Sequence, residues 1–265
     1  MPRALVNGTE LHYEDLGPKD APVVLFSHGL LFSTELFRPQ IEALSRSFRC
    51  VAYDHRGQGQ SADSPDASIS MELLFQDAAL LIEHLHLGRV HFVGLSMGGF
   101  VGMRLAARRP DLVRSLVLLD TSADREPEHN LLKYRALSLV ARGLGVGAVA
   151  DRVMPIMFAA SSLADPSRRA DVAAWRAMLL RNRKSIWRAV NGVIDRVAIL
   201  PELGRIACPT LVVVGEEDVA TPPAKAERIW KAIGGAQILH VPGAGHSSTI
   251  EQPKLVTRAI QDHLR

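Results

Sequence analysis

Along the chain, short apolar runs alternate with longer stretches in which apolar residues recur every three or four positions. The runs are rich in Val, Leu and Phe, as expected of strands buried on both faces. Predicted strands fall at 10–15, 23–27, 50–54, 90–94, 115–120, 210–214 and 237–241. Between them the period near 3.6 predicts helices at 33–45, 71–86, 97–109, 222–233 and 249–264. Pro110 supports the end of the third, because proline cannot continue a helix. Such alternation implies an α/β fold, a mostly parallel central sheet flanked by helices.

After Asp120 the alternation stops, and about eighty residues carry helical periodicity without a convincing strand. Helices are expected there at 130–142, 146–158, 165–181 and 185–198, punctuated by Gly143, Gly145, Pro155, Pro166 and Gly192. Alternation resumes near Pro201. The chain therefore reads as a discontinuous core, residues 1–120 and 201–265, with an inserted helical cap over residues 121–200. No internal repeat or low-complexity tract interrupts it.

Composition changes this picture little. With 265 residues and 47% apolar content the chain is long enough for one substantial core. No run approaches the roughly 20 apolar residues of a membrane span, and the first residues lack the apolar stretch of a signal peptide, so a cytoplasmic protein with no membrane partner is expected. Cys50 and Cys208 each adjoin a predicted strand and read as buried free thiols rather than a disulfide or reactive pair. The net charge of +3 is small, and no basic stripe interleaved with aromatics is present, which argues against a nucleic-acid partner. The charge is uneven, however: residues 121–200 hold 13 Lys and Arg against 7 Asp and Glu. A solvated, Arg-rich helical surface accounts for that excess, with attraction of anionic substrates as the alternative.

The segment with the most chemical content is Gly94-Leu95-Ser96-Met97-Gly98, a G-x-S-x-G pattern between an apolar strand and a helix. A serine on so sharp a turn has strained backbone angles, and side chains two residues to either side would collide. The turn lifts the hydroxyl above the sheet edge and aims a helix N-terminus at developing negative charge. A serine hydroxyl needs a base to take its proton. Of ten histidines, His246 lies in a glycine loop between the last predicted strand and the last helix, where it can reach over the sheet edge. His84 and His86 are two apart on a helix and face different directions, and no HExxH or similar cluster occurs, so neither a metal nor another cofactor is expected.

An acid must hold the histidine's other N–H. Asp218, beyond the carboxyl end of the strand at 210–214, is the first choice, and Asp120, after the preceding core strand, is a competitor. Glu216 and Glu217 lie nearer the strand end and read as solvated turn residues. The order serine, acid, histidine holds with either aspartate. Two backbone N–H groups are candidates for holding an oxyanion, that of Met97 and that of Leu30 in Ser27-His28-Gly29-Leu30-Leu31. His28 is expected to shape that loop rather than act as base.

Four separated signatures then agree: His28-Gly29, the segment from Asp54 to Ser61 (D-x-R-G-x-G-x-S), the elbow, and Gly243-Ala244-Gly245-His246 followed by Glu251 and Pro253. Together they resemble the α/β-hydrolase superfamily over essentially the whole chain. The resemblance implies scaffold roles for Asp54 and Arg56, and its G-x-x-D pattern, matched at Gly215 to Asp218, favours Asp218. Within the superfamily the sequence is similar to small bacterial esterases and lactonases such as 3-oxoadipate enol-lactonase, through Asp218-Val219-Ala220-Thr221-Pro222-Pro223 and the Ile250-Glu251-x-Pro253 segment. A serine at the elbow argues against dehalogenase and epoxide hydrolase relatives, and Leu30 in place of the Trp of perhydrolases leaves perhydrolysis a side activity at most. The implied activity is cleavage of a small carboxylic ester or lactone through an acyl-serine. A carbon-carbon bond hydrolase or amidase, and a slow-turnover receptor on the same fold, are the alternatives. Met154, Met157, Phe158, Trp175 and Trp187 are candidate lining residues of a compact, mostly apolar pocket.

Overall fold

The computed structural model describes residues 2–265. Eight strands form one sheet: β1 (Arg3–Val6), β2 (Thr9–Leu16), β3 (Val23–Ser27), β4 (Arg49–Tyr53), β5 (Val90–Leu95), β6 (Val113–Leu119), β7 (Thr210–Gly215) and β8 (Gln237–Val241). Their spatial order is β1-β2-β4-β3-β5-β6-β7-β8. The β1–β2 and β2–β4 pairs are antiparallel, and every other pair is parallel. Strands β3, β5 and β7 are buried at every position, which is why they read as unbroken apolar runs.

Seven of these strands lie where the apolar runs predict them; β1 does not figure among them. It is four residues long and alternates exposed with buried positions, too weak a pattern to stand alone. Its local signal is the turn: Asn7 and Gly8 both take positive φ, and Val6 pairs with Thr9, so Asn-Gly closes a two-residue hairpin.

Six helices belong to the core: α1 (Arg38–Leu44), α2 (Met71–His84) and α3 (Met97–Arg108) before the insertion, and three after it. The insertion between β6 and β7 contributes α4 (Glu128–Leu144), α5 (Ala150–Met157), α6 (Ala160–Ala164), α7 (Arg169–Leu180) and α8 (Trp187–Ile194), with no strand among the described residues. The core then ends with α9 (Pro223–Ala232), α10 (Ser248–Glu251) and α11 (Pro253–His263). Several predicted helices are shorter or divided. The stretch 33–45 opens with a 3-10 turn, Thr34–Phe37, and the stretch 146–158 splits into a 3-10 turn and α5. The stretch 249–264 breaks at Gln252 because Pro253 starts a new helix, its missing N–H costing nothing at a first position. Both cysteines are free, Cys50 fully buried on β4 and Cys208 only half-buried.

The insertion is fastened to the core by named hydrogen bonds. Buried Glu251 accepts from the Ala159 N–H at 2.8 Å with one oxygen and from the Gly245 N–H at 2.9 Å with the other. Ser247 Oγ donates to the Met157 carbonyl at 2.8 Å, and Asn182 donates to the Leu31 carbonyl at 2.7 Å. Much of the insertion's positive charge is taken up in ion pairs, among them Arg135–Asp195, Arg176–Asp151, Arg181–Glu35 and Arg196–Glu126. With Arg125 and Arg188, six of the thirteen basic residues of the insertion are so paired. No helix among the described residues is long and apolar enough to cross a membrane.

Candidate active site

Ser96 sits between β5 and α3 with φ +52° and ψ −110°, a left-handed backbone that a non-glycine residue adopts only under constraint. The constraint is steric and local. A Cβ on Gly94 would overlap the backbone of Gly98, and one on Gly98 would overlap the carbonyl of Ser27 on β3, so the turn closes only with glycine at both positions. The Ser96 N–H donates to the Leu119 carbonyl at 2.8 Å, and Thr121 Oγ1 donates to the Ser96 carbonyl at 2.7 Å, fixing the elbow against the end of β6.

His246 follows β8 and places Nε2 2.8 Å from Ser96 Oγ. Its Nδ1 lies 2.8 Å from Asp218 Oδ2. Because a carboxylate only accepts, Nδ1 carries the proton, which leaves Nε2 free to accept from the serine hydroxyl. All three side chains are buried, at 7% exposure or less. Burial pushes the His246 pKa down, but the Asp218 charge and hydrogen bond, with Asp120 and Glu251 adding to them, outweigh it and the net shift is upward.

Asp218 is held in turn by the loop after β7. Its Oδ1 accepts the N–H groups of Ala220 at 2.8 Å and Thr221 at 2.9 Å, and its Oδ2 accepts Thr221 Oγ1 at 2.8 Å. Thr221 Oγ1 also lies 3.2 Å from His246 Nδ1. The sequence reading passed over Thr221, although an aspartate whose carboxylate accepts from the N–H groups two and three residues on is a recognisable turn. Glu216 is exposed, and Glu217 caps the start of α6 through Ser161.

Asp120, the competitor, is fully buried with φ +46° but pairs with backbone rather than with the imidazole. Its two oxygens accept the Gly215 N–H at 2.9 Å and the Ser248 N–H at 3.0 Å, joining the loop that bears Asp218 to the loop that bears His246. Burial, and then the nearby Asp218 charge, push its pKa upward.

The Ser27 to Leu31 loop lies beside Ser96. His28 Nδ1 donates to the Gly29 carbonyl at 2.7 Å and Nε2 accepts the His55 N–H at 3.1 Å, so both nitrogens are engaged in shaping the loop. Burial lowers its pKa. Leu31 has φ +71°, and its N–H donates to Gln58 Oε1 at 3.0 Å. A Cβ placed on Gly29 would lie 3.4 Å from Ser96 Cβ, so the loop passes directly beside the serine. Asp54 accepts the N–H groups of Thr34 and Gln60, and Arg56 forms a two-bond pair with Asp77, as scaffold residues do. Among the described residues no cluster of three or more His, Cys, Asp or Glu is arranged to hold a metal ion.

Ser96 and His246 open on a cleft whose walls are mostly aliphatic and come from both core and insertion. Leu30 and Phe100 border it from the core, and Val153, Met157 and Val190 from the insertion. Of the insertion residues expected to line a pocket, Met157 does so. Phe158 and Trp175 instead stack on each other with centroids 4.7 Å apart inside the helical layer, and Trp187 carries the Arg142 guanidinium on its face at 4.4 Å.

Comparison with known proteins agrees with this fold. The structure superposes on an enol-lactonase from Burkholderia xenovorans LB400 with a TM-score of 0.92 at 33% identity, covering 99% of both chains. A thermophilic esterase from Thermogutta terrifontis gives 0.91 at 30% identity, covering 100% of this chain and 98% of that one. A proposed carbamate hydrolase, RutD, of Variovorax paradoxus is 28% identical over 255 residues, 96% of each chain. The family model described as alpha/beta hydrolase matches residues 24–259. With that match over most of its length, the chain belongs to the alpha/beta hydrolase family.

Proposed function

We propose that the protein is a serine hydrolase that cleaves small carboxylic esters or lactones through an acyl-Ser96 intermediate, residues 121–200 serving as a cap over the site. The observation that carries this reading is the unbroken relay from Ser96 Oγ through His246 to Asp218 at one end of an apolar cleft. Ser96 Oγ attacks the carbonyl carbon while His246 Nε2 takes its proton, and Asp218 stabilises the imidazolium. The N–H groups of Leu30 and Met97 flank the serine and receive the charge of the tetrahedral oxyanion. His246 returns its proton to the leaving alkoxide, then deprotonates a water that attacks the acyl-serine; the second tetrahedral species collapses to free acid and restores Ser96.

The partner on this reading is a small molecule, no cofactor enters the cycle, and a cytoplasmic setting is consistent with two free thiols. A second reading, hydrolysis of a carbamate or amide by the same groups, is favoured by the relatives named for carbamate hydrolysis. Incubation with a p-nitrophenyl alkylphosphonate should place one label per chain on Ser96, and p-nitrophenyl acetate should turn over. Labelling at another serine, or none, would remove Ser96 as nucleophile. A parallel panel of esters, lactones, amides and carbamates separates the two readings.

A further inference from the structure

Away from Ser96, Thr221 and His246 the cleft is mostly aliphatic, and its two charged lining residues other than the histidine, Glu126 and Arg196, lie near Tyr134. Arg196 is 8% exposed and its partners are fixed. Nε donates to the Asp124 carbonyl at 3.0 Å; Nη1 donates to Glu126 Oε2 at 2.7 Å and to the Val193 carbonyl at 2.8 Å. Glu126 Oε1 accepts from Asn130 at 2.8 Å, so the carboxylate is held from both sides. Two donors are left over: among the described residues neither Arg196 Nη2 nor the Tyr134 hydroxyl has a hydrogen-bond partner, and both residues border the cleft. Neither atom is sealed off, so both donors are open to whatever occupies the cleft, and an occupant that carries an acceptor gains hydrogen bonds there that an apolar one does not.

The position of this pair relative to Ser96 is set by α3. Phe100 follows Ser96 by four residues, and the Arg196 guanidinium lies over its ring at 4.6 Å from the centroid. Phe100 is one helical turn beyond Ser96 on the same helix, so the polar end and the serine border one cleft at separate places. The sign of the charge matters as well. Arg196 is already neutralised by Glu126, both side chains being 7% exposed or less. A substrate carboxylate would either compete with Glu126 or leave a net negative charge in a low-dielectric cleft, and both are unfavourable. Burial, with Glu126 adding to it, holds the Tyr134 phenol protonated up to about 12, so it remains a donor.

The geometry points to a substrate-reading site: Tyr134 and Arg196, with Glu126 cancelling the arginine's charge, select an uncharged acyl chain bearing a ketone or similar neutral oxygen away from the carbonyl that Ser96 attacks. This rests on the acyl-transfer reading above and names its substrate class. It also runs against an anionic substrate, the alternative that the basic composition of residues 121–200 left open.

Three methyl esters of matched length test it: methyl hexanoate, methyl 5-oxohexanoate and monomethyl glutarate, in which the methyl ketone and the carboxylate are near isosteres. For the wild-type protein kcat/KM should be at least about fivefold higher for the oxo ester than for hexanoate, and at least about tenfold higher than for the glutarate ester. Tyr134→Phe should bring the ratio of oxo ester to hexanoate within about twofold of one. Glu126→Gln, which keeps the shape and frees the arginine's charge, should raise glutarate relative to the oxo ester by about tenfold. Wild-type preference for monomethyl glutarate, or an oxo preference that survives Tyr134→Phe, would overturn the assignment. Thermal shift of Ser96→Ala by the same three esters reads the ranking without chemistry. Ranked binding without turnover in the wild type defeats acyl transfer and leaves the subsite standing; turnover with equal binding and equal kcat/KM defeats the subsite alone.

Discussion

The sheet edge that carries Ser96, Asp218 and His246 differs from the helical insertion facing it in how its geometry is fixed. At the edge, the polar side chains that hold the site are buried and tied to backbone: Asp120 to Gly215 and Ser248, Asp218 to Ala220 and Thr221, His28 to Gly29 and His55. In the insertion, α4 buries little more than Ser138 and Ala141 while Leu132 and Leu139 stand 83% and 68% exposed. Pro155 interrupts the hydrogen-bond ladder of α5, and many of the charges sit in exposed ion pairs worth about 0–1 kcal/mol each. Atoms that meet developing charge need placement within a fraction of an ångström, whereas a wall that reads the length of an acyl chain does not. The two regions should therefore answer to mutation on different scales.

The largest effect belongs to the edge. Ser96→Ala should lower turnover by about 10⁴ to 10⁶ while circular dichroism and melting temperature stay near wild type. More than a tenth of the wild-type rate would break the assignment. Next comes the contrast between the two aspartates. Asp218→Asn should cost about 10³- to 10⁴-fold by favouring the wrong imidazole tautomer, and Asp120→Asn about tenfold or less, since it contacts backbone alone; the reverse order would exchange their roles.

The pH profile sharpens the same contrast. His246 must be neutral to act as base, and its pKa is raised above the usual 6.5, so kcat/KM should fall as the pH drops through a value above 6.5. Removing the Asp120 charge favours the neutral imidazole, so in Asp120→Asn that limb should move to lower pH. A limb that moves upward would contradict the sign.

Effects of the insertion are smaller. Across acetate, butyrate, octanoate and palmitate esters, kcat/KM should peak at the first two and be at least about tenfold lower at palmitate, about 1.4 kcal/mol of lost transition-state binding. A peak at octanoate or beyond would mean an open groove. Smallest of all, Leu139→Ser on the outer face of α4 should change stability by no more than about 0.5 kcal/mol and leave kcat/KM untouched.

The same contrast explains what the sequence made legible. Strands buried on both faces announce themselves as apolar runs, and Gly94 and Gly98 are dictated by overlaps a few residues away, so sheet and elbow are written locally. The choice between Asp218 and Asp120 is not, because both end neighbouring parallel strands and only the fold decides which one faces His246. Thr221 escaped notice because threonine is common and its hydroxyl acquires meaning only beside the acid and the imidazole. The insertion was visible as helical periodicity, but its lining was not: Phe158 and Trp175 found each other rather than the cleft, and the Glu126–Arg196 pair joins residues seventy positions apart.

Glu251 gives the molecule an interlock. One of its oxygens holds the Ala159 amide at the start of α6, and the other holds the Gly245 amide immediately before His246. Lifting the 159–162 segment away would strip a buried carboxylate of one partner and slacken the strut that seats the general base. The seat of the insertion on the core and the loop that carries His246 are therefore held by one side chain, so what loosens the first also loosens the second.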